Sequence, residues 1–362
     1  MTVIQSYLFY GLLALASLLF AWYSERSGKK RGLVLCALLL IAVAGFRAYD
    51  VGIDTLPYKN GIEYFFETGR VSWEASFSYG YGLLTSYLLG ISNYTFVLLA
   101  QAAITNGLIL ARFWDFKDTA SLTFMVMVYI STAYFVSFCI ICQYVAVALV
   151  FYGSRFADKG RPFVYCMFIV AAAALHTSAL IAFVDIALRY FRLKGSSPIG
   201  LLLRLAAIAV APVAIVLIGR AFFAKYASYG ANVSSIGLMV AVQIAVFVTA
   251  LLVCGYFSGK ESTHSFNLKK ELSLGAPYVV RLYSLGLILS AGSYVIANAG
   301  RIAYYFTIYG TVCFGAFAKH STKSKSRLAC SVVLFGWFIA YCIYAVFING
   351  SLGIIPFSFI WG

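Results

Sequence analysis

The stretch LLLRLAAIAVAPVAIVLI, from Leu201 to Ile218, decides the fold of this chain. Its apolar residues follow one another without the alternation of apolar and polar positions that a strand of a membrane barrel requires. The run from Ile169 to Leu175 has the same uninterrupted character. Because only helices and closed barrels satisfy their backbone groups in lipid, such runs predict membrane-spanning helices.

The composition extends this prediction to the whole chain. Hydrophobic residues make up 62% and charged residues 11%, with a mean hydropathy of +0.90, whereas soluble domains hold about 25% charged residues. A span needs about 20 mostly apolar residues, and such runs recur throughout. We therefore predict an all-α, polytopic integral membrane bundle of roughly 10–12 transmembrane helices. These helices should form a single transmembrane domain over residues 1–362.

The net charge of +15 comes from basic residues that lie mostly in short joints between apolar runs. This is the positive-inside pattern of membrane proteins, and it argues against a nucleic-acid partner. The basic joint Ser24 to Gly32 is accordingly predicted to be cytoplasmic. Alternation then places two loops, of about residues 47–76 and about residues 219–235, on the extracytoplasmic side. The first apolar run lacks a basic leader and a cleavage site, which indicates a retained helix.

One joint conflicts with this alternation. Arg155 to Arg161 is basic, yet simple alternation would place it outside. Two explanations remain open. Either a segment between Tyr79 and Phe113 re-enters the membrane without crossing it, or the long run Phe163 to Leu188 breaks near His176.

The eight cysteines lie within or at the ends of apolar runs, without the spacing of a metal site. They indicate small core residues rather than disulfides or zinc ligands. Cys139 and Cys142 form a C-x-x-C sequence, but it lacks the βαβ surroundings of a redox motif. We expect neither a metal nor another cofactor.

The loop of about residues 47–76 contains a predicted amphipathic helix. Asp54 or Thr55 would cap it, with Pro57 in its first turn, and Tyr58 and Phe65 would share its apolar face. Such a helix would lie on the membrane surface. Arg47, Asp50 and Asp54 stand close together before or at its start, and they could bind a charged headgroup and a sugar hydroxyl. A solvated loop with a helix cap is the alternative.

Two ionisable residues in apolar surroundings are further candidates, because burying a charge in a membrane is costly. His176 is followed by Thr177 and Ser178, whose hydroxyls could hold the imidazole in one tautomer, so that it acts as a base or hydrogen-bond donor. Arg301 precedes Tyr304 and Tyr305, and a guanidinium flanked by phenols suits a phosphate and a sugar. A buried structural histidine and an interfacial arginine anchor are the respective alternatives.

The order of these motifs resembles the EpsG/Wzy type of bacterial polysaccharide polymerase, over nearly the whole chain. The matching elements are Arg47 with Gly52-Ile53-Asp54-Thr55 and Tyr58, Tyr79-Gly80-Tyr81-Gly82-Leu83-Leu84, Gln143 with Val145-Ala146, His176-Thr177-Ser178-Ala179-Leu180, Arg301 with Tyr304-Tyr305-Phe306, and Ile355-Pro356-Phe357. The chain departs from the family pattern at Ser78, where relatives have glutamate, and at Cys142, where they have arginine.

The resemblance implies a glycosyltransferase of the bacterial cytoplasmic (inner) membrane. It would join undecaprenyl-diphosphate-linked oligosaccharide repeat units into O-antigen, capsular or exopolysaccharide chains on the extracytoplasmic face. The implied catalytic residues are Arg47, Asp54, His176 and Arg301. The implied substrate-binding residues are Thr55, Tyr58, Gln143, Ser178, Tyr304 and Tyr305. Membrane lipids, a chain-length regulator and a flippase of the same pathway are the implied partners.

The chemistry of these residues fits that reaction. Arginine stabilises the charge that develops on a leaving diphosphate without a metal, and His176 or Asp54 would accept the proton of the acceptor hydroxyl. The chain has no Asp-x-Asp pair, which favours a metal-independent enzyme. Two rival functions remain: a flippase or transporter for lipid-linked oligosaccharides, which should show two repeat-related halves, and a membrane-bound acyltransferase with a buried histidine.

Overall fold

The computed structural model folds the apolar runs that it describes into α-helices. It describes residues 1–71, 77–190, 237–253, 278–292, 299–321 and 325–361. Within these ranges the only β pairing is an isolated bridge between Arg47 and Phe359, so the predicted all-α class is confirmed for them. Two compact units are present: Met1–Leu180 with Phe314–Gly362, and Ile181–Cys313.

The described helices follow in chain order. They are α1 (Val3–Ser27), α2 (Arg31–Gly45), α3 (Thr55–Thr68), α4 (Tyr79–Ile91), α5 (Tyr94–Asp115), α6 (Leu122–Tyr129), α7 (Ile141–Asp158), α8 (Pro162–Leu175), α9 (Phe183–Tyr190), α10 (Gly237–Val253), α11 (Val279–Gly292), α12 (Ala299–Thr307), α13 (Gly310–Ser321) and α14 (Lys325–Cys342). Helix α6 continues into a π-helical turn, Ile130–Tyr134, and α14 into another, Ile343–Ile348.

Helices α1 and α5 are long and apolar enough to cross a membrane, and six shorter apolar helices accompany them among the described residues. This supports a helical membrane protein, while the number of crossings stays a prediction. The stretch Leu201 to Ile218 and the predicted loop of residues 219–235 lie outside the described residues.

One end of the first unit gathers basic and aromatic side chains, and we call it the basic end. The Lys30 and Lys117 ammonium groups lie 5.6 and 5.7 Å from the ring centroid of Trp114. At the same end, Arg112 pairs with Asp115 at 3.0 Å and with Asp158. These contacts bring together the joint of α1 and α2 and the final turns of α5 and α7.

The opposite end of the first unit, which we call the Arg47 end, holds the start of α5 and the end of α8. The Tyr94 hydroxyl donates to the Thr55 carbonyl at 3.3 Å, and the Cys142 thiol donates to the Leu175 carbonyl at 3.3 Å. Helices α2, α5 and α7 each run from one of these ends to the other, so their axes define the long axis of the first unit.

Helix α4 begins and ends at the Arg47 end. A Cβ at Gly80, in the first turn of α4, would lie 2.5 Å from the Ala174 carbonyl oxygen of α8. At the other end of α4, only two residues separate Ile91 from the start of α5. The helix therefore does not cross the unit.

This placement resolves the conflict over Arg155 to Arg161, because the joint falls at the same end as the other basic joints without a further crossing. Of the two explanations, the re-entrant segment between Tyr79 and Phe113 agrees with the structure. The break near His176 is also present, since α8 ends at Leu175 and a 3-10 turn, Thr177–Ala182, follows.

The second unit contains the ion pair that its i, i+4 spacing predicts. Arg189 Nε donates to Asp185 Oδ1 at 2.6 Å, and both side chains are buried. The Arg189 guanidinium lies 3.4 Å from the ring centroid of Tyr278. The ion pair with Asp185 and the stacking on Tyr278 together compensate the buried charge of Arg189. In the same unit, helices α11 and α12 pack closely, because Gly286 has no side chain and the backbone of Thr307 approaches it.

Candidate functional site

Arg47 is the centre of the Arg47 end, and its side chain is only 3% exposed. Its Nε donates to the Val51 carbonyl at 3.2 Å, one terminal nitrogen donates to the Ala44 carbonyl, and the other donates to the Phe138 carbonyl at 3.2 Å and to Thr55 Oγ1 at 3.4 Å. The planar fork of donors suits this arrangement, in which every acceptor lies in a different direction.

The Arg47 side chain also stacks on the ring of Phe138. Its guanidinium lies 4.7 Å from the ring centroid of Phe138, a cation–π geometry. Burial lowers the pKa of the Arg47 guanidinium below its ordinary value. That ordinary value is so high that the group still carries its charge near neutral pH. Arg47 is therefore a buried cation that ties the loop after α2 to the turn before α7.

At Gly52, the loop between Arg47 and α3 lies very close to the backbone of Phe138 and the side chain of Thr55. This glycine has a φ of +95°, and a Cβ there would lie 2.8 Å from both the Phe138 carbonyl oxygen and Thr55 Oγ1. The Thr55 hydroxyl in turn donates to the Val51 carbonyl at 2.9 Å. Only glycine fits this position without strain.

We expect Gly52→Ala to lower the free energy of unfolding by about 1–3 kcal/mol, because the substitution adds both backbone strain and a steric contact. Thermal unfolding of the purified protein in detergent measures this loss. Gly69→Ala is the matched control, since Gly69 also has a positive φ, of +68°, but no atom lies within 4 Å of its Cβ position. Equal losses from the two variants would contradict the role given to the close approach.

The last residues of the chain cover this loop, and we call residues 350–361 the C-terminal strap. Gly52 N–H donates to the Gly353 carbonyl at 2.8 Å and Ile53 N–H donates to the Leu352 carbonyl at 3.0 Å. The Tyr10 hydroxyl of α1 donates to the Ile354 carbonyl at 2.9 Å. The strap thus connects α1 to the loop, and it includes the Ile-Pro-Phe element at the end of the sequence.

Asp54 stands at the N-cap position of α3, as the sequence predicts, although its side chain does not make the capping hydrogen bond. Its carbonyl accepts from the Tyr58 N–H at 3.0 Å. Asp54 and Tyr58 are half-buried, while Thr55 is buried. Asp54 therefore marks the start of α3 without capping the helix through its side chain.

Helix α3 buries the apolar face that its sequence predicts. Its Ile62 and Phe65 belong to a buried cluster with residues of α4, α5 and α7, and Tyr58 packs against this cluster. Phe66, which the pattern also places on the apolar face, is 52% exposed. The exposed ring suits a helix that lies at a membrane surface.

His176 closes α8 at the same end of the unit. The residue is half-buried, and its backbone N–H donates to the Ala172 carbonyl at 2.8 Å. Its ring nitrogen Nδ1 lies 2.6 Å from the hydroxyl oxygen of Ser178. This is the pairing with a following hydroxyl that the sequence suggests. The hydroxyl of Ser178 therefore fixes the orientation of the imidazole ring.

The first turn of α7 lies between His176 and Arg47. It holds Cys142, whose thiol donates to the carbonyl next to His176, and Gln143, whose side chain is 1% exposed. Cys139 donates instead to the Leu352 carbonyl of the strap at 3.1 Å. The two thiols of the C-x-x-C sequence are not joined in a disulfide, and each makes its own hydrogen bond to a different segment.

The remaining predicted site residues belong to the second unit. Arg301 lies in α12 with an exposed side chain, Tyr304 is half-buried, and Tyr305 is 1% exposed. Tyr305 therefore packs inside its unit, while Arg301 is accessible to a ligand. Among the described residues, no group of three His, Cys, Asp or Glu side chains is close enough to hold a metal ion.

The structure also reveals partners that sequence reasoning missed. The Phe138 carbonyl accepts from both Arg47 and Thr55. The strap contributes four carbonyls to the same region, those of Leu352, Gly353, Ile354 and Ser358. Backbone carbonyls leave no signal in side-chain patterns, so no motif could have located them. The Ile-Pro-Phe element of the strap could be recognised in the sequence, but the contact of the strap with the Arg47 loop could not be predicted from it.

Comparison with known proteins gives one match. The model of the EpsG family matches residues 31–359 of this chain. No curated protein matches, and no solved structure matches. The matched range includes the Arg47 loop, His176, Arg301 and nearly all of the C-terminal strap.

Proposed function

Because this chain belongs to the EpsG family, we propose that it is a polysaccharide polymerase of the bacterial cytoplasmic membrane. It joins oligosaccharide repeat units carried on undecaprenyl diphosphate into O-antigen, capsular or exopolysaccharide chains. The multi-pass topology, the lipid-linked substrate and the cooperation with a flippase and a chain-length regulator belong to this proposal.

One observation carries the proposal: motifs far apart in sequence meet at one end of the first unit. The Arg47 loop, the first turn of α7, His176 and the strap all lie there, while the basic joints lie at the other end. By the positive-inside rule the basic end faces the cytoplasm. The Arg47 end then faces outward, on the side where a lipid-linked repeat unit is polymerised.

The half-buried groups of this end divide the chemistry among them. His176, oriented by Ser178, accepts the proton of the acceptor sugar hydroxyl. Asp54 and Tyr58 bind sugar hydroxyls beside it, and Thr55 and Gln143 support them from buried positions. In the second unit, the exposed guanidinium of Arg301 is the group that we assign to the negative charge developing on the leaving diphosphate. Tyr304 and Tyr305 belong to the same helix.

Arg47 has a different role in this proposal from the one that its sequence motif suggests. Its hydrogen bonds to three backbone carbonyls and Thr55 engage four of its five N–H donors, and its side chain is buried. It is therefore a positioning residue: it holds the loop that presents Asp54, and Arg301 carries the contact with diphosphate.

Deletion of the gene tests the function directly. Gel electrophoresis of the surface polysaccharide should then show single repeat units in place of long chains, because units are still exported but no longer joined. A lipid-linked oligosaccharide flippase would leave no units at the surface, and a membrane acyltransferase would leave chains of normal length that lack acyl groups. Either pattern would refute the polymerase.

We expect turnover to persist in the presence of a chelator, because arginine supplies the positive charge that a divalent metal would otherwise provide. Purified protein in lipid nanodiscs, with a lipid-linked repeat unit as substrate, should retain its rate within about twofold in excess EDTA. The control is a metal-dependent glycosyltransferase assayed in the same buffer. Loss of turnover that added Mg²⁺ or Mn²⁺ restores would contradict this mechanism.

A further inference from the structure

An apolar cleft of about 490 Å³ runs along the first unit, between α1, α6 with its π-helical turn, and α14 with its own. Its walls along α1 extend from Tyr7 to Leu18, and Gly11 and Ala14 form its floor. The hydroxyls of two wall residues are already engaged: Tyr10 donates to the Ile354 carbonyl and Ser131 to the Met127 carbonyl. The cleft therefore offers a ligand contact area that is almost entirely hydrocarbon.

The dimensions of the cleft suit a single hydrocarbon chain. Tyr7 and Leu18 are eleven residues apart, which corresponds to about 17 Å of helix. A cleft of about 490 Å³ along that length accommodates an extended hydrocarbon chain.

The cleft opens toward lipid. Exposed aliphatic side chains continue its rims on both sides, with Leu8, Leu12 and Leu15 on α1 and Val332 and Ile339 on α14. Such continuous apolar surface marks a region that contacts a membrane. A hydrocarbon chain can therefore enter the cleft sideways from the bilayer.

One end of the cleft adjoins the candidate site. Tyr10 lines the cleft and also holds the C-terminal strap, and the strap in turn holds Gly52 and Ile53 beside Asp54. Beyond the last apolar wall residue, Ile348, the chain becomes polar, and exposed Asn349 bonds Ser351 at 3.1 Å. A lipid whose tail fills the cleft would thus have its headgroup at the Arg47 end.

We propose that this cleft holds the polyprenyl tail of the lipid-linked substrate. The inference rests on the proposed function, because the same cleft would otherwise accept any hydrocarbon chain. Its role is to fix the depth of the substrate, so that the diphosphate and first sugar reach the level of Asp54 and His176. Tail binding then contributes to positioning without touching the reacting atoms.

Gly11 provides the test, since a Cβ there would meet no atom within 4 Å. In Gly11→Leu the new side chain extends into the space of the cleft. Gly336 is the matched control: it is an exposed helical glycine of α14, equally unobstructed, but it does not line the cleft. Leucine is the better helix former, so both variants should show an unchanged or higher Tm.

The probe is tritiated undecaprenyl phosphate, in nanodiscs of phosphatidylethanolamine and phosphatidylglycerol. A photoreactive benzoylphenylalanine replaces Ile343, which lines the cleft. We expect crosslinking to fall on the order of tenfold in Gly11→Leu, as for an overfilled apolar pocket, and to be unchanged in Gly336→Leu. Equal crosslinking in both variants would overturn the proposal. Crosslinking that an excess of unlabelled undecaprenyl phosphate fails to lower would also overturn it, because the label would then not report a site that binds the prenyl chain.

The crosslinking test of the cleft and the gene-deletion test of the polymerase can fail independently of each other. Crosslinking that depends on Gly11, in a protein whose deletion leaves long chains intact, would support tail binding and refute the polymerase. A deletion that leaves single repeat units, with no crosslinking at position 343, would support the polymerase and refute this site.

Discussion

Replacing Arg47 with alanine is expected to lower the free energy of unfolding by about 3–5 kcal/mol, the range for removing a buried charged group from its partners. The substitution leaves the carbonyls of Ala44, Val51 and Phe138 without their guanidinium donor. It also opens a void against the Phe138 ring. The measurement is the Tm of the protein in detergent, together with its abundance in the membrane.

Two further variants separate charge from geometry. Arg47→Lys keeps the cation but cannot donate in several directions from one plane, so we expect it to recover less than half of the loss. Arg70→Ala is the control, because Arg70 is an exposed arginine of the same loop and its removal should change stability by about 0.5 kcal/mol or less. If Arg47→Ala were as stable as Arg70→Ala, the central role of Arg47 in the fold would be refuted.

Replacing His176 with alanine is expected to lower turnover by about 10²–10⁴-fold, the usual contribution of a general base. Arg301→Ala should reduce turnover by a similar factor, because it removes the charge that we propose to stabilise the leaving diphosphate. In cells, each variant should reproduce the single repeat units of the gene deletion. Gel electrophoresis of the surface polysaccharide and a blot for protein abundance are the two measurements.

The chain offers a matched control for each substitution. Thr177→Ala removes an exposed hydroxyl next to His176, and Arg281→Ala removes an exposed arginine of the second unit. Neither should shorten the polysaccharide. A normal ladder of long chains from both His176→Ala and Arg301→Ala, at normal abundance, would remove these residues from the active site.

Ser178→Ala tests whether the hydroxyl positions the imidazole. With Nδ1 no longer held at 2.6 Å from that oxygen, the ring samples both tautomers, and turnover should fall less than in His176→Ala. A positioning role predicts that the pH dependence of turnover shifts, whereas a purely structural role of Ser178 would lower abundance without changing the pH profile.

The amino-acid sequence by itself determined the helical class and the amphipathic face of α3, because periodicity and composition depend on local residues alone. It also placed Asp54 at a helix start and paired His176 with a nearby hydroxyl, since both relations span at most three residues. The family followed from the order of its motifs.

Only the tertiary structure decided where those motifs meet. The bonds from Arg47 to the Phe138 carbonyl and from Gly52 to the strap join residues 91 and 301 positions apart. Their acceptors are backbone carbonyls, which every residue possesses and no side-chain pattern marks. The re-entrant path of α4 was equally undecided, because an apolar helix of 13 residues has the same composition whether it crosses a bundle or turns back within it. Packing against α3, α5 and α8 settles that choice, and packing is a property of the assembled chain.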